Sequence, residues 1–180
     1  TKRTDMVDLS QAKQIEGYEN YWIFPDGRVW STYREGRFLK PHPTRGKDRT
    51  KPQYYRFWVG PRACRTQLSL HREVAKAFIG PPPLGENGKP LQVDHIDRNS
   101  LNNNVDNLRY VTRSQNMMNS GPQKNNTSGY KGVSWHKTIK KFYAGIKIKN
   151  RTLSLGYFDC KIEAAKAYDK KAYEFHRDFA

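Results

Sequence analysis

The sequence predicts an α+β fold made of small modular domains: a β-rich N-terminal arm, a ββα core, and a C-terminal three-stranded antiparallel sheet packed on one helix. Three observations predict it. Apolar residues recur in short runs with a period of two, and few stretches carry a helical period. Turn-forming segments punctuate those runs, most clearly over 80–90 and 120–129. The closing stretch is Ala-rich and amphipathic. A single domain is possible at 180 residues, yet these seams divide the chain into 14–60, 61–119, a linker over 120–128, and 129–180, behind a tail over 1–13 with no clear element.

Residues 15–31, I-E-G-Y-E-N-Y-W-I-F-P-D-G-R-V-W-S, read as two strands joined at a Pro25-Asp26-Gly27 turn. Residues 40–51 are basic and rich in turn formers, and 54–59 are again strand-like. Together they predict a β-sheet arm suited to following a polyanion. A helix is expected over 70–78, with Ser69 as cap and Leu70, Val74, Ala77 and Phe78 on one face. The G-P-P-P run after it ends the helix, because proline lacks the amide donor and fixes φ.

Residues 91–96 and 108–111 are short apolar runs around an Asn-rich loop, which predicts a hairpin. Thr112 or Ser114 then caps a helix that carries Asn116 in its first turn. Beyond the linker, Phe142, Ala144, Ile146 and Ile148 alternate with Lys141, Tyr143, Gly145, Lys147 and Lys149, giving one apolar and one basic face. A helix after Asp159 covers the apolar face with Ile162, Ala165, Tyr168, Ala172 and Phe175.

The chemistry concentrates between Val93 and Asn116. Asp94 and Asn116 can offer oxygens to one hard divalent cation, and His95 can take a proton from water near neutral pH. Strand alternation sends neighbouring side chains to opposite faces, so Asp94 and His95 share a site only where the strand twists or ends. The charge is distributed to match. The chain carries +16; residues 121–180 hold 13 basic and 5 acidic side chains, and 91–120 hold three of each. Basic flanks around a neutral centre can hold phosphates without crowding a metal site with cations.

Four pieces in order resemble the HNH nuclease family, and more narrowly its phage-type, intron-encoded homing branch. They are H-R-E-V-A-K-A-F at 71–78, V-D-H-I-D at 93–97, N-N-V-D-N-L at 103–108 and V-T-R-S-Q-N at 111–116. The resemblance implies a ββα-metal core that hydrolyses phosphodiester bonds of double-stranded DNA, leaving 5′ phosphate and 3′ hydroxyl ends. It implies one Mg2+ or Mn2+ ion held by Asp94 and Asn116, His95 as general base, and Asn107 bracing the loop. His71 falls within the frame and is given a packing role. Residues 15–31 are similar to the NUMOD segment that precedes such cores.

The C-terminal part resembles the APETALA or ethylene-response type of DNA-binding domain, in Y-K-G-V-S-W at 130–135, L-G-Y-F-D at 155–159 and E-A-A-K-A-Y-D at 163–169. By position this implies that Lys131, Ser134, His136, Tyr143, Gly145, Lys147, Thr152 and Ser154 face DNA, and Lys141, Lys149 and Arg151 join them as basic residues. Several positions depart from the plant pattern. Ser134, Gly145, Thr152 and Ser154 cannot make bidentate guanine contacts, so the lysines grip phosphates while Tyr143, His136 and Trp135 are left as readers of shape or base. Core packing is an equal expectation for Trp135.

Cys64 and Cys160 provide neither a disulfide framework nor a four-cysteine zinc site. With no long apolar span or cleavable signal, the expected setting is the cytoplasm, that of a bacterial host for a phage-encoded protein, and the expected state is a monomer. The competing reading is a non-catalytic DNA-binding regulator; an RNA-binding protein is a third, supported by charge and aromatics alone.

Overall fold

A computed structural model describes residues 7–33, 35–45, 52–122, 125–148 and 151–176. It is mixed α/β, with four small antiparallel sheets and three α-helices among those residues. The chain divides into two units, Thr1–Thr112 and Arg113–Ala180.

In the first unit, β1 (Lys13–Ile15), β2 (Tyr18–Ile23), β3 (Val29–Ser31) and β4 (Arg37–Phe38) form one sheet in that order. The Pro-Asp-Gly segment turns between β2 and β3: Gly27 N donates to Phe24 O at 3.0 Å, and Arg28 N to Asp26 Oδ1 at 2.9 Å. Gly27 takes a φ of +87°, which glycine adopts without steric cost. A second sheet contains β5 (His42–Arg45), β6 (Pro52–Val59) and β7 (Thr66–Ser69). Of the basic stretch 40–51, residues 46–51 lie outside the described residues.

Helix α1 spans Leu70–Phe78. Leu70, Val74 and Ala75 are buried, with Ala77 and Phe78 half-buried against the same core. Ser69 occupies the N-cap position in extended conformation, yet its hydroxyl makes no cap bond, contrary to expectation; the residue is also the last of β7, which aligns its backbone with the sheet. The helix ends as Ile79 N and Gly80 N both return to Ala75 O, just before the three prolines. β8 (Gln92–His95) and β9 (Leu108–Val111) then form a two-stranded ladder.

One core joins these pieces. Ile15, Tyr21, Ile23 and Val29 of the first sheet, Phe57 and Val59 of β6, Leu70, Val74 and Ala75 of α1, and Leu108 of β9 form a single cluster. The N-terminal arm and the segment after residue 60 are thus packed around the same apolar residues, each fully buried aliphatic side chain contributing about 1.5–3 kcal/mol. This core backs the β8–β9 ladder.

The second unit opens with α2 (Arg113–Asn119). β10 (Val133–His136), β11 (Lys141–Ile148) and β12 (Arg151–Phe158) form a three-stranded antiparallel sheet, and α3 (Lys161–His176) packs on it. The buried stripe of α3 is Ala164, Ala165, Tyr168 and Ala172. Ile162 and Phe175, expected on that stripe, are about half exposed: Ile162 lies off the stripe in the first turn, and Phe175 lies in the last. At Gly132 a Cβ would stand 2.2 Å from the Tyr168 ring, so glycine alone permits that contact. The end of the expected linker is ordered by its own side chains. Asn126 Oδ1 accepts from Ser128 N and Gly129 N, and the buried Ser128 Oγ donates to Val133 O at 2.8 Å.

Candidate active site

The ladder pairs Val93 with Tyr110, Asp94 with Arg109 and His95 with Leu108. Alternation sends Val93, His95, Leu108 and Tyr110 to the side of the main core, where Val93, Leu108 and Tyr110 pack. Asp94 takes the other side with its cross-strand partner, and Arg109 Nε donates to Asp94 Oδ2 at 3.0 Å. Asp94 is 5% exposed and His95 6%. Strand β8 ends at His95, so the backbone leaves the ladder directly after the pair.

Asparagines tie the loop between β8 and β9. Asn107 Oδ1 accepts from Asp97 N at 2.9 Å, while its Nδ2 donates to Asp97 Oδ1 and to Asn102 O, each at 2.9 Å. Asn102 Nδ2 donates to Asp97 Oδ2 at 2.8 Å, and Asn104 accepts from Asp106 N to start a 3-10 turn over Val105–Asn107. Asn107 therefore fastens the two ends of the loop. The Asn102 bond leads the causes that hold the Asp97 carboxyl below its usual range.

Asn103 points inward. It is 4% exposed; its Nδ2 donates to Leu101 O at 3.0 Å, which turns Oδ1 to His95 Nε2 at 3.3 Å. A carboxamide oxygen only accepts, so Nε2 carries the proton and Nδ1 is the basic nitrogen of His95. The β2–β3 turn props this arrangement from behind: Val105 N donates to Pro25 O at 2.8 Å, and a Cβ at Gly27 would come within 3.2 Å of Asn103 Cβ.

Two further rings complete the surroundings. His71 on α1 stands 5.4 Å from the His95 ring, and Tyr54 on β6 stands 5.1 Å from His71 and 6.2 Å from His95, centroid to centroid. His71 is 8% exposed, and its Nδ1 is a buried polar atom with no hydrogen-bond partner among the described residues. Burial, His95 and the guanidinium groups of Arg72 and Arg56 push His71 down to about 4. Burial also lowers His95, opposed by the Asn103 bond and the negative charges of Asp97 and Asp94. Both imidazoles are neutral near pH 7. A neutral, oriented imidazole is what a general base requires.

Asp94, His95 and Asn107 thus stand on one hairpin, whereas Asn116 lies on α2 in the second unit. Sequence reasoning gave no role to Asn103, which opens the motif at 103–108, nor to Arg109 or Tyr54. The register Asp94↔Arg109 was the available signal for the ion pair, once the hairpin loop was placed. Among the described residues no group of three or more His, Cys, Asp or Glu stands together in metal-binding arrangement, and no helix is long and apolar enough to cross a membrane.

In the second unit, Ser134, His136, Tyr143, Lys147, Thr152 and Ser154 lie on the sheet face away from α3. The buried Val133, Ala144 and Ile146 fix the opposite face, and the pairs Ser134↔Tyr143 and Lys147↔Thr152 keep the rows aligned. Lys141 is bridged to Asp159 at 3.1 Å, Arg151 is exposed, and Lys149 lies outside the described residues. Lys131 sits elsewhere: its ammonium donates to Met117 O, Met118 O and Ser120 O at the carboxyl end of α2, where helix carbonyls attract a cation. Trp135 packs edge-on against Phe142, whereas Tyr157, not anticipated, joins His136 and Tyr143 in ring contacts at 5.4 Å.

Residues 69–118 match the family model for HNH endonuclease. The chain is 39% identical over 87 residues to Protein 3.8 of Escherichia phage T7, covering 48% of this chain and 62% of that protein. It is 37% identical over 105 residues to the uncharacterized HNH endonuclease L245 of Acanthamoeba polyphaga mimivirus, covering 58% and 28%. With the H-N-H endonuclease F-TflII of Escherichia phage T5 it shares 30% over 123 residues, covering 68% and 58%. A solved structure of DNA binding and cleavage by the HNH homing endonuclease I-HmuI is 32% identical, covering 60% of this chain and 56% of that one at a TM-score of 0.48. The likeness to HNH endonucleases thus rests on residues 69–118, the segment that holds the hairpin. The chain spans between 28% and 62% of the length of these curated relatives.

Proposed function

We propose that the chain is a phage-type HNH homing endonuclease that hydrolyses phosphodiester bonds of double-stranded DNA, with His95 as general base. One observation carries the reading: His95, beside Asp94 and within the segment that matches the HNH model, is a buried neutral imidazole whose Nε2 faces the acceptor oxygen of Asn103. With Nε2 committed as donor, Nδ1 takes the proton of the attacking water. The P–O3′ bond breaks as the new P–O bond forms, and the leaving 3′ oxygen takes a proton from solvent, giving a 5′ phosphate and a 3′ hydroxyl. Asn103 and the Asp94 charge favour the imidazolium that results. Asn107 acts one step removed, by holding the loop that delivers Asn103.

A divalent ion, Mg2+ or Mn2+, suits the donor chemistry. Asp94, adjacent in sequence to the base, presents a buried carboxylate, a hard oxygen donor for such an ion, and the carboxamide of Asn116 is a donor of the same class. When bound, such an ion would supply positive charge against the negative charge that builds up in the transition state. Arg109 orients the Asp94 carboxylate from across the ladder.

The C-terminal sheet serves as an APETALA-type DNA-binding surface, with Ser134, His136, Tyr143, Lys147, Thr152 and Ser154 toward DNA and Lys141 and Arg151 near phosphates. The N-terminal sheets act as a NUMOD-like arm. A single site of this kind suits nicking by a monomer, in the cytoplasm of a bacterial host. Supercoiled plasmid incubated with the protein and Mg2+ tests the reading: nicked or linear product that disappears with EDTA is expected. A shifted but uncut band contradicts it and favours the DNA-binding regulator.

A further inference from the structure

We propose that the outer face of β6 is a platform for unpaired DNA bases beside His95, with Tyr54 and Trp58 stacking on bases and Arg56 holding the phosphate between them. This rests on the nuclease reading for the presence of a DNA strand. The alternation along β6 is sharp: Tyr55, Phe57 and Val59 enter the core, so Tyr54, Arg56 and Trp58 face out. Tyr54 and Trp58 are each 42% exposed, and two residues along a strand set neighbours in this row about 7 Å apart.

Neighbours on the same face hold the row in place. Arg56 Nη1 donates to Gln67 Oε1 at 3.0 Å, and Thr44 Oγ1 exchanges bonds with the Tyr54 backbone. Trp58 also lines a groove with Tyr33, Arg37, Lys40, Arg62 and Arg65, in which Glu35 is the lone carboxylate. Such a wall is complementary to a phosphate chain. At the other end, Tyr54 adjoins His71 and His95. There Tyr54 packs against both imidazoles, and the buried Nδ1 of His71 has no hydrogen-bond partner among the described residues.

Aromatic faces combined with basic side chains recognise single strands, because a base exposes its face only when it has left the stack. A duplex offers these rings no such surface. The row therefore assigns the substrate a locally melted or single-stranded stretch at the cut, entered from the groove and ending at His95.

The test uses the full chain in EDTA and a fluorescent oligo-dT of about twenty nucleotides. Trp58→Ala and Tyr54→Ala should each weaken binding about fivefold or more, the lower end for loss of one stacked base, while a blunt duplex of the same length loses less. Far-UV circular dichroism checks that the exposed substitutions leave the fold intact. Binding to oligo-dT that is absent, or equal in wild type and both variants, overturns the inference, even if the plasmid is still cut. Conversely, loss of oligo-dT binding in the two variants upholds it even for a protein that never cuts.

Discussion

Three consecutive asparagines do three different things. Asn102 ties Asp97, Asn103 faces His95, and Asn104 starts a helical turn. Residue type alone could not separate them, because only the fold decides which one points inward. Asn103→Ala removes the acceptor that fixes the His95 tautomer. Plasmid cutting should fall at least about tenfold, less than the roughly hundredfold or more that loss of the general base itself would cost, with DNA affinity nearly unchanged. Parallel loss of affinity in a gel-shift titration would contradict the assignment.

His71 supplies a second prediction at this scale. Its folded pKa lies below the unfolded value, so the unfolded chain binds more protons between pH 6.5 and about 4. Stability is therefore full above 6.5 and is lost as pH falls through that window, by up to about 3 kcal/mol. Urea denaturation at several pH values should show the loss in wild type and a smaller one in His71→Gln.

Among the elements, α1 was legible to both ends, because an apolar stripe, Ser69 before it and a Pro run beyond it bound it. The hairpin strands were legible from two short apolar runs around an Asn-rich loop, and the C-terminal β-β-β-α order came from alternation and the Ala-rich stripe. The ordered turn at 126–129 was not, since its stability comes from Asn126 and Ser128 side chains bonding back to the backbone of a later strand, and composition there reads only as polar. Nor was the sharing of one core by the arm and the segment after residue 60, which depends on long-range packing of Ile23, Phe57 and Val74.

Two glycines give predictions here. Gly132→Ala forces the Tyr168 ring out of its place beside Ile146 and adds strain at a φ of +70°, so the second unit should lose about 2 kcal/mol or more in thermal denaturation. Gly27→Ala acts on the site through the fold, pressing Asn103 at a φ of +87°. It should cost about 1–3 kcal/mol and lower cutting as well. A stable, fully active Gly27→Ala would argue that the β2–β3 turn does not hold Asn103.

For the molecule as a whole, charge is the governing quantity. Thirty-three basic side chains against 17 acidic ones leave +16, concentrated outside 91–120. If DNA engages the flanks, log affinity falls linearly with log salt, losing roughly a thousandfold or more between about 50 and 200 mM when about six phosphates are contacted. A shallow salt dependence would show that the basic flanks do not follow the backbone.

The most direct test of the central claim compares His95→Ala with wild type in metal-dependent plasmid cutting, at protein concentrations that give equal DNA occupancy. If His95 is the base, the variant binds normally and its cutting rate falls by about a hundredfold or more. A variant that cuts at the wild-type rate, or one whose loss of cutting is matched by an equal loss of binding, contradicts it.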